Sequence, residues 1–182
     1  MGDSRPDACN LVETASFEIG PALLLPDGRV FAIGATGNTS LYTLPAVATN
    51  PGTWAKFPLQ APNQTLGAKD APACLLPNGR VLCVADPVDG VSGDYSSPTC
   101  FFEFDPQSST LTAITNPPNS DMQPYQRRVL LLPTGEVLFA SGTADIEIYE
   151  PDGMHDPAWQ LKITNCPASL KVNQTYTLNG IQ

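Results

Sequence analysis

Three copies of one short phrase constrain this chain more than anything else in it. They read Leu24-Leu25-Pro26-Asp27-Gly28-Arg29-Val30, Leu75-Leu76-Pro77-Asn78-Gly79-Arg80-Val81 and Leu131-Leu132-Pro133-Thr134-Gly135-Glu136-Val137. The glycines are spaced by 51 and then 56 residues. Self-similarity at such a period marks a repeat architecture. Each copy is an apolar run, a tight turn and a second apolar run. Ala22 to Leu25 and Val30 to Ile33 are too short for helices and nearly continuous in hydrophobicity, which suits strands covered on both faces. Between them Pro26 presets φ at the first turn position, Asp27 tolerates the second, and Gly28 supplies φ > 0. The phrase therefore predicts a β-hairpin closed by a type I turn with a glycine bulge.

More strands follow each hairpin. Ser40 to Tyr42, Cys100 to Phe104 and Ile146 to Tyr149 are candidate third strands, each ending near a proline. Thr53 to Phe57, Leu111 to Ile114 and Trp159 to Ile163 alternate better, as outer strands with one wet face do. Four antiparallel strands per unit make a propeller blade; the alternative is an unrelated β-sandwich that reuses a turn. The expected class is all-β. Residues 1–16 form an N-terminal extension and 17–164 form three four-stranded blades of a larger ring, at about 17–60, 69–115 and 125–164. Residues 165–182 are turn-rich and read as the beginning of a β-sandwich. Rings close with about four to eight blades, so the remaining blades come from a longer chain or a second copy.

The net charge of −9 argues against nucleic acid or an anionic membrane as a partner. No apolar run approaches a membrane span, and Met1 to Asn10 are too polar for a signal peptide. Five cysteines, Cys9, Cys74, Cys83, Cys100 and Cys166, include no C-x-x-C pair. Cys74 and Cys83 flank the second hairpin. The turn chemistry pairs Leu76 with Arg80 and sets Cys74 opposite Leu82, so the two sulfurs fall on opposite faces and read as buried free thiols. Sequons at Asn38, Asn63 and Asn173 matter only in a secretory pathway.

The last copy, Tyr125 to Val137, followed by Ile146 to Pro151 and the tail from Ile163, resembles the end of the galactose oxidase family. There a Tyr-His-x-x-x-Leu-Leu-Leu-Pro-Asp-Gly-Arg-Val phrase closes a kelch-type propeller and an immunoglobulin-like domain follows. The Gly-Gly doublet usual in kelch repeats is replaced here by Gly34-Ala35, Ala85-Asp86 and Ser141-Gly142. The resemblance implies a copper held by two tyrosines and two histidines, with one tyrosine cross-linked to a cysteine. Tyr125 matches the motif tyrosine, but Gln126 stands where the histidine should be. His155, the single histidine, lies outside the motif. No metal ligand or catalytic residue is assigned, and copper enters only with a full-length protein.

The starts of the innermost strands lie near the mouth of a propeller's channel. Glu18, Lys69, Asp70, Tyr125, Gln126 and Arg127 stand there as the ligand-binding candidates. Carboxylates, cations, a phenol and an amide suit a hydroxyl-rich ligand; alternatively they solvate the strand starts or pair across blades. The loop from Asp86 to Asp94 holds three carboxylates but not the EF-hand spacing, and reads as solvated rather than calcium-binding. Trp54 and Trp159 read as packing residues, and His155 as a loop residue. The favoured function is a non-catalytic binding module, extracellular or in the cell envelope, that engages glycan or protein partners through its loop face. The alternatives are a copper radical oxidase and an intracellular interaction scaffold.

Overall fold

The computed structural model describes residues 9–58, 60–61, 64–88, 95–151 and 162–181. His155, Trp159, Asn63 and the Asp89 and Asp94 carboxylates of the acidic loop lie outside them. The described residues are all-β: antiparallel sheets, one 3-10 turn at Pro124–Gln126, and no α-helix. No helix among them is long and apolar enough to cross a membrane.

The first sheet is a meander of β1 (Ala22–Leu24), β2 (Val30–Ile33), β3 (Asn38–Thr43) and β4 (Thr53–Pro58). The phrase at its start folds as its turn chemistry requires. Gly28 N–H donates to Leu25 O at 2.9 Å, Leu25 N–H to Arg29 O at 2.8 Å, and Gly28 takes φ +84°. The second and third hairpins repeat both bonds, with Gly79 at +82° and Gly135 at +92°. Only a residue without Cβ holds that conformation cheaply.

Two short strands, β5 (Gln60–Ala61) and β6 (Gln64–Gly67), lead into the second sheet, formed by β7 (Ala73–Leu75), β8 (Val81–Pro87), β9 (Cys100–Asp105) and β10 (Thr110–Ala113). They occupy a stretch read from sequence as a connection. β7 pairs only with Val81 to Cys83, and β6 takes up the exposed backbone beyond, with Leu66 opposite Pro87 and Gly67 opposite Asp86. Cys74 stands opposite Leu82 and Cys83 opposite Ala73, and both thiols are free and buried.

The third sheet contains β11 (Arg128–Leu131), β12 (Val137–Ala140) and β13 (Ile146–Tyr149). Its expected outer strand, Trp159 to Ile163, lies outside the described residues up to 161. Ile163 itself belongs to β14 (Lys162–Asn165) and pairs with Gly180 of β15 (Asn179–Ile181), not with the third sheet.

The three sheets stack in chain order. Phe31 of β2 lies flat on Phe104 of β9, with ring centroids 4.0 Å apart and planes 6° apart. Phe101 of β9 meets Phe139 of β12 edge-on at 5.0 Å. Tyr149 Oη donates to Glu103 Oε1 at 2.5 Å across the same seam. The innermost strands β1, β7 and β11 run as neighbours. With sheets on both sides, β8 is buried along its whole length, which explains the unbroken apolar run from Val81 to Ala85. Burying a ring such as Phe31 or Phe104 contributes about 1.5–3 kcal/mol. At the first seam Gly20 is squeezed between two backbones: a Cβ there would stand 2.5 Å from Ile33 O and 2.6 Å from Ala68 O.

Candidate functional site

The hairpin tips mark one end of the stack, and the connections that start the innermost strands mark the other. Glu18 precedes β1, Lys69 and Asp70 precede β7, Tyr125 and Gln126 precede β11, and the β8–β9 connection brings Tyr95 to the same end. Local backbone sets these directions. Phe17 and Asp70 take left-handed φ of 62° and 47° on either side of the cluster, a conformation that costs a non-glycine residue about 1–2 kcal/mol. The 3-10 turn at Pro124–Gln126, closed by Arg127 N–H to Pro124 O at 2.9 Å, lifts Tyr125 and Gln126 off the strand that follows.

Tyr95 is the hub. Its hydroxyl contacts Glu18 Oε1 and lies 2.8 Å from Asp70 Oδ2. A phenol carries one hydrogen, so only one of the two carboxylates can accept it at a time. Burial, reinforced by both carboxylates, pushes the Tyr95 pKa up, so the phenol keeps its proton. Glu18 Oε2 is buried with no hydrogen-bond partner. The Lys69 ammonium stands 5.3 Å from the centre of the Tyr95 ring, and the Tyr125 ring leans on Tyr95 at 4.5 Å and 48°. Gln123 Nε2 donates to Tyr95 O at 2.7 Å, and Gln126 Nε2 reaches the Tyr125 hydroxyl at 3.4 Å. Arg128 braces Tyr125 through its carbonyl at 2.8 Å. Phe17 extends 80 % exposed beside Glu18.

Four of the six residues singled out from the sequence therefore gather around one tyrosine, Glu18, Lys69, Asp70 and Tyr125, and Gln126 joins them through the Tyr125 hydroxyl. Arg127 does not join them. It is fully buried and turned into the third sheet. There Nη1 donates to Ser141 O at 2.5 Å, Nη2 to Asn119 O, and Nε to Thr99 Oγ1 at 3.3 Å, with the guanidinium 5.5 Å from the Phe139 ring. Its role is to tie together the two connections behind Tyr95 that carry Thr99 and Asn119. Asp86 is likewise buried rather than solvated, and its Oδ2 accepts the Ser96 N–H at 2.8 Å, next to the hub. Trp54 packs on Tyr42 at 4.8 Å.

Sequence reasoning missed Tyr95, Gln123 and Arg128. A signal for Tyr95 was present in the unequal connections. The second and third strands of the first sheet are joined by 34–37, but those of the second sheet by 88–99. A connection lengthened at one copy of a repeat is where function concentrates.

At the opposite end, an open crevice of about 610 Å³ runs between the tips, lined by Pro26, Asp27, Asn78, Arg80, Asp105 and Pro106. Its charges are already engaged: Asp27 with Arg29 at 2.6 Å and Arg80 with Glu103 at 3.0 Å. Copper does not fit the donors around Tyr125. The neighbouring side chain is a carboxamide, which offers Cu(II) neither imidazole nor thiolate. Among the described residues no three histidine, cysteine or acidic side chains converge as a metal site. Comparison with family models, curated proteins and solved structures finds no match for this chain.

Proposed function

We propose that the chain is a non-catalytic binding module of kelch-type propeller blades, which engages glycans or glycan-bearing proteins through the loop face around Tyr95. The observation that carries this reading is the convergence of two carboxylates, an ammonium, an amide and two tyrosine rings from four separate connections onto one end of the stack. Sugars present that mixture with its complement. Their hydroxyls exchange water for fixed acceptors and donors, and their C–H faces lie on aromatic rings. The blade reading is supported by three equivalent hairpins, face-to-face stacking in chain order and adjacent innermost strands. Glycan ligands point to an extracellular or cell-envelope setting.

A glycan array followed by calorimetry tests the proposal. The native protein is expected to bind one glycan class, and Tyr125→Ala or Asp70→Asn to weaken that binding by roughly tenfold or more, the equivalent of losing one good contact. A folded native protein that retains no glycan on the array refutes it.

A further inference from the structure

The charged groups around Tyr95 do not satisfy one another. Lys69 is only 6 % exposed, yet its ammonium makes no hydrogen bond or ion pair among the described residues; its one contact is with the Tyr95 ring, at 5.3 Å. An ammonium carries three donors, and a charge withdrawn from water without hydrogen bonds is costly. Acceptors stand close by but are turned elsewhere. Glu18 Oε1 and Asp70 Oδ2 both go to the Tyr95 hydroxyl, which has one hydrogen for the two of them, and Glu18 Oε2 is buried with no partner. The site thus holds donors without acceptors beside acceptors short of donors. Tyr95 keeps them so. Of the consecutive residues Lys69 and Asp70, the first lies on its ring and the second on its hydroxyl, with Asp70 held at a left-handed φ of 47°. The tyrosine is itself fixed, by Gln123 at its carbonyl and by the Tyr125 ring.

We infer that Lys69 is the donor that fixes a ligand oxygen in this site, and that Tyr95 is a positioning residue that keeps it available by holding Glu18 and Asp70 off it. The ligand group is a hydroxyl, which accepts from the Lys69 ammonium and donates to the exposed Asp70 carboxylate at once. The carboxylate of an acidic sugar takes the first bond, has no hydrogen for the second, and meets two like charges. Because the ammonium is unpaired beforehand, no internal ion pair has to be broken when the hydroxyl enters, and the cost of ordering the site is met in folding. The inference rests on the glycan reading proposed above and adds to it which residue discriminates.

Two measurements test it. On the native protein, an array carries neutral glycans and the same glycans capped with sialic acid or a uronic acid; the neutral forms are expected to bind about tenfold or more tighter. The second is a double-mutant cycle, read by calorimetry on a neutral glycan that the array retains. Tyr95→Phe keeps the ring under Lys69 and removes only the hydroxyl, so the carboxylates are released to pair with the ammonium. Tyr95→Phe and Lys69→Met are each expected to lose about tenfold in affinity, and Tyr95→Phe to add less than about twofold once Lys69 is Met. In 15N NMR of the lysine side chains, Tyr95→Phe is expected to slow hydrogen exchange at the Lys69 ammonium as the ion pair forms, a change that a merely structural role for Tyr95 does not produce. Additive losses, or Lys69→Met binding within about twofold of native, overturn the inference. So does a native preference for the acid-capped glycans, which needs no variant to fold and leaves the glycan reading standing. Retention of neither set ends both.

Discussion

Arg127→Met separates a residue that holds the site from one that touches a ligand. The substitution keeps most of the side chain's length and removes all its donors. Ser141 is fully buried, so its carbonyl loses a charge-assisted bond and finds no water in exchange. A hydrogen bond of that kind is worth about 1.5–3 kcal/mol. Thr99 Oγ1 retains its bond to Met122 O, and Asn119 is exposed enough for water to replace the guanidinium, so these two add little. Burial lowers the Arg127 pKa, which means the charged form already carries a desolvation cost in the native state. Relief of that cost offsets part of the loss. The net expectation is about 2 kcal/mol of destabilisation. Urea unfolding followed by fluorescence measures it, at unchanged slope if the denatured state is unaffected. Below the transition, glycan affinity is expected to stay within about twofold of the native value, a change worth only a few tenths of a kcal/mol. Refutation takes either of two forms: stability within about 0.5 kcal/mol of native, the usual range for a surface change, or affinity lost from a protein that is fully folded.

Two further outcomes follow from the geometry. Gly20→Ala places a methyl against two backbone oxygens that cannot swing away, and is expected to cost about 1–3 kcal/mol in thermal or chemical unfolding; a variant as stable as the native protein would show that the first seam is looser than described. The Arg29 side chain, and then its backbone N–H, hold the Asp27 carboxyl below the ordinary value of 3.8. A depressed folded-state pKa contributes stability that is present above the unfolded value and lost as pH falls through the folded one. Carboxyl NMR titration is therefore expected to find the Asp27 midpoint below 3.8 in the native protein and moved only part of the way back in Arg29→Ala, which keeps the backbone N–H at position 29. The exposed pair contributes no more than about 0.5 kcal/mol to stability above pH 4.

What could be read from the residues alone was the part governed by local geometry. Proline, a turn former and glycine in sequence admit one tight hairpin, and that fixed the register through Cys74 opposite Leu82 and hence the separation of the two thiols. The clustering of Glu18, Lys69, Asp70 and Tyr125 followed from counting back along equivalent strands. Arg127 defeated the same count. Arg128, one position on, faces out, and alternation alone cannot say which of two neighbouring arginines turns inward. The acceptors that settle it, on Thr99, Asn119 and Ser141, come from connections distant in sequence. Tyr95 was hidden for a related reason: it lies on an unrepeated stretch, so no equivalent position drew attention to it. β6 and the pairing of Ile163 with Gly180 depend on which backbone edges remain open after the rest has folded, and nothing within a few residues of either segment records that.

The two ends of the stack live under different rules. At the tips, three near-identical turns obey backbone sterics, and little can vary there without undoing a hairpin. At the far end the strand-joining segments 34–37, 88–99 and 141–145 differ freely in length while the sheets beneath keep one register. A molecule so divided can acquire a new appetite by lengthening or shortening a single loop, and its scaffold need never hear of the change.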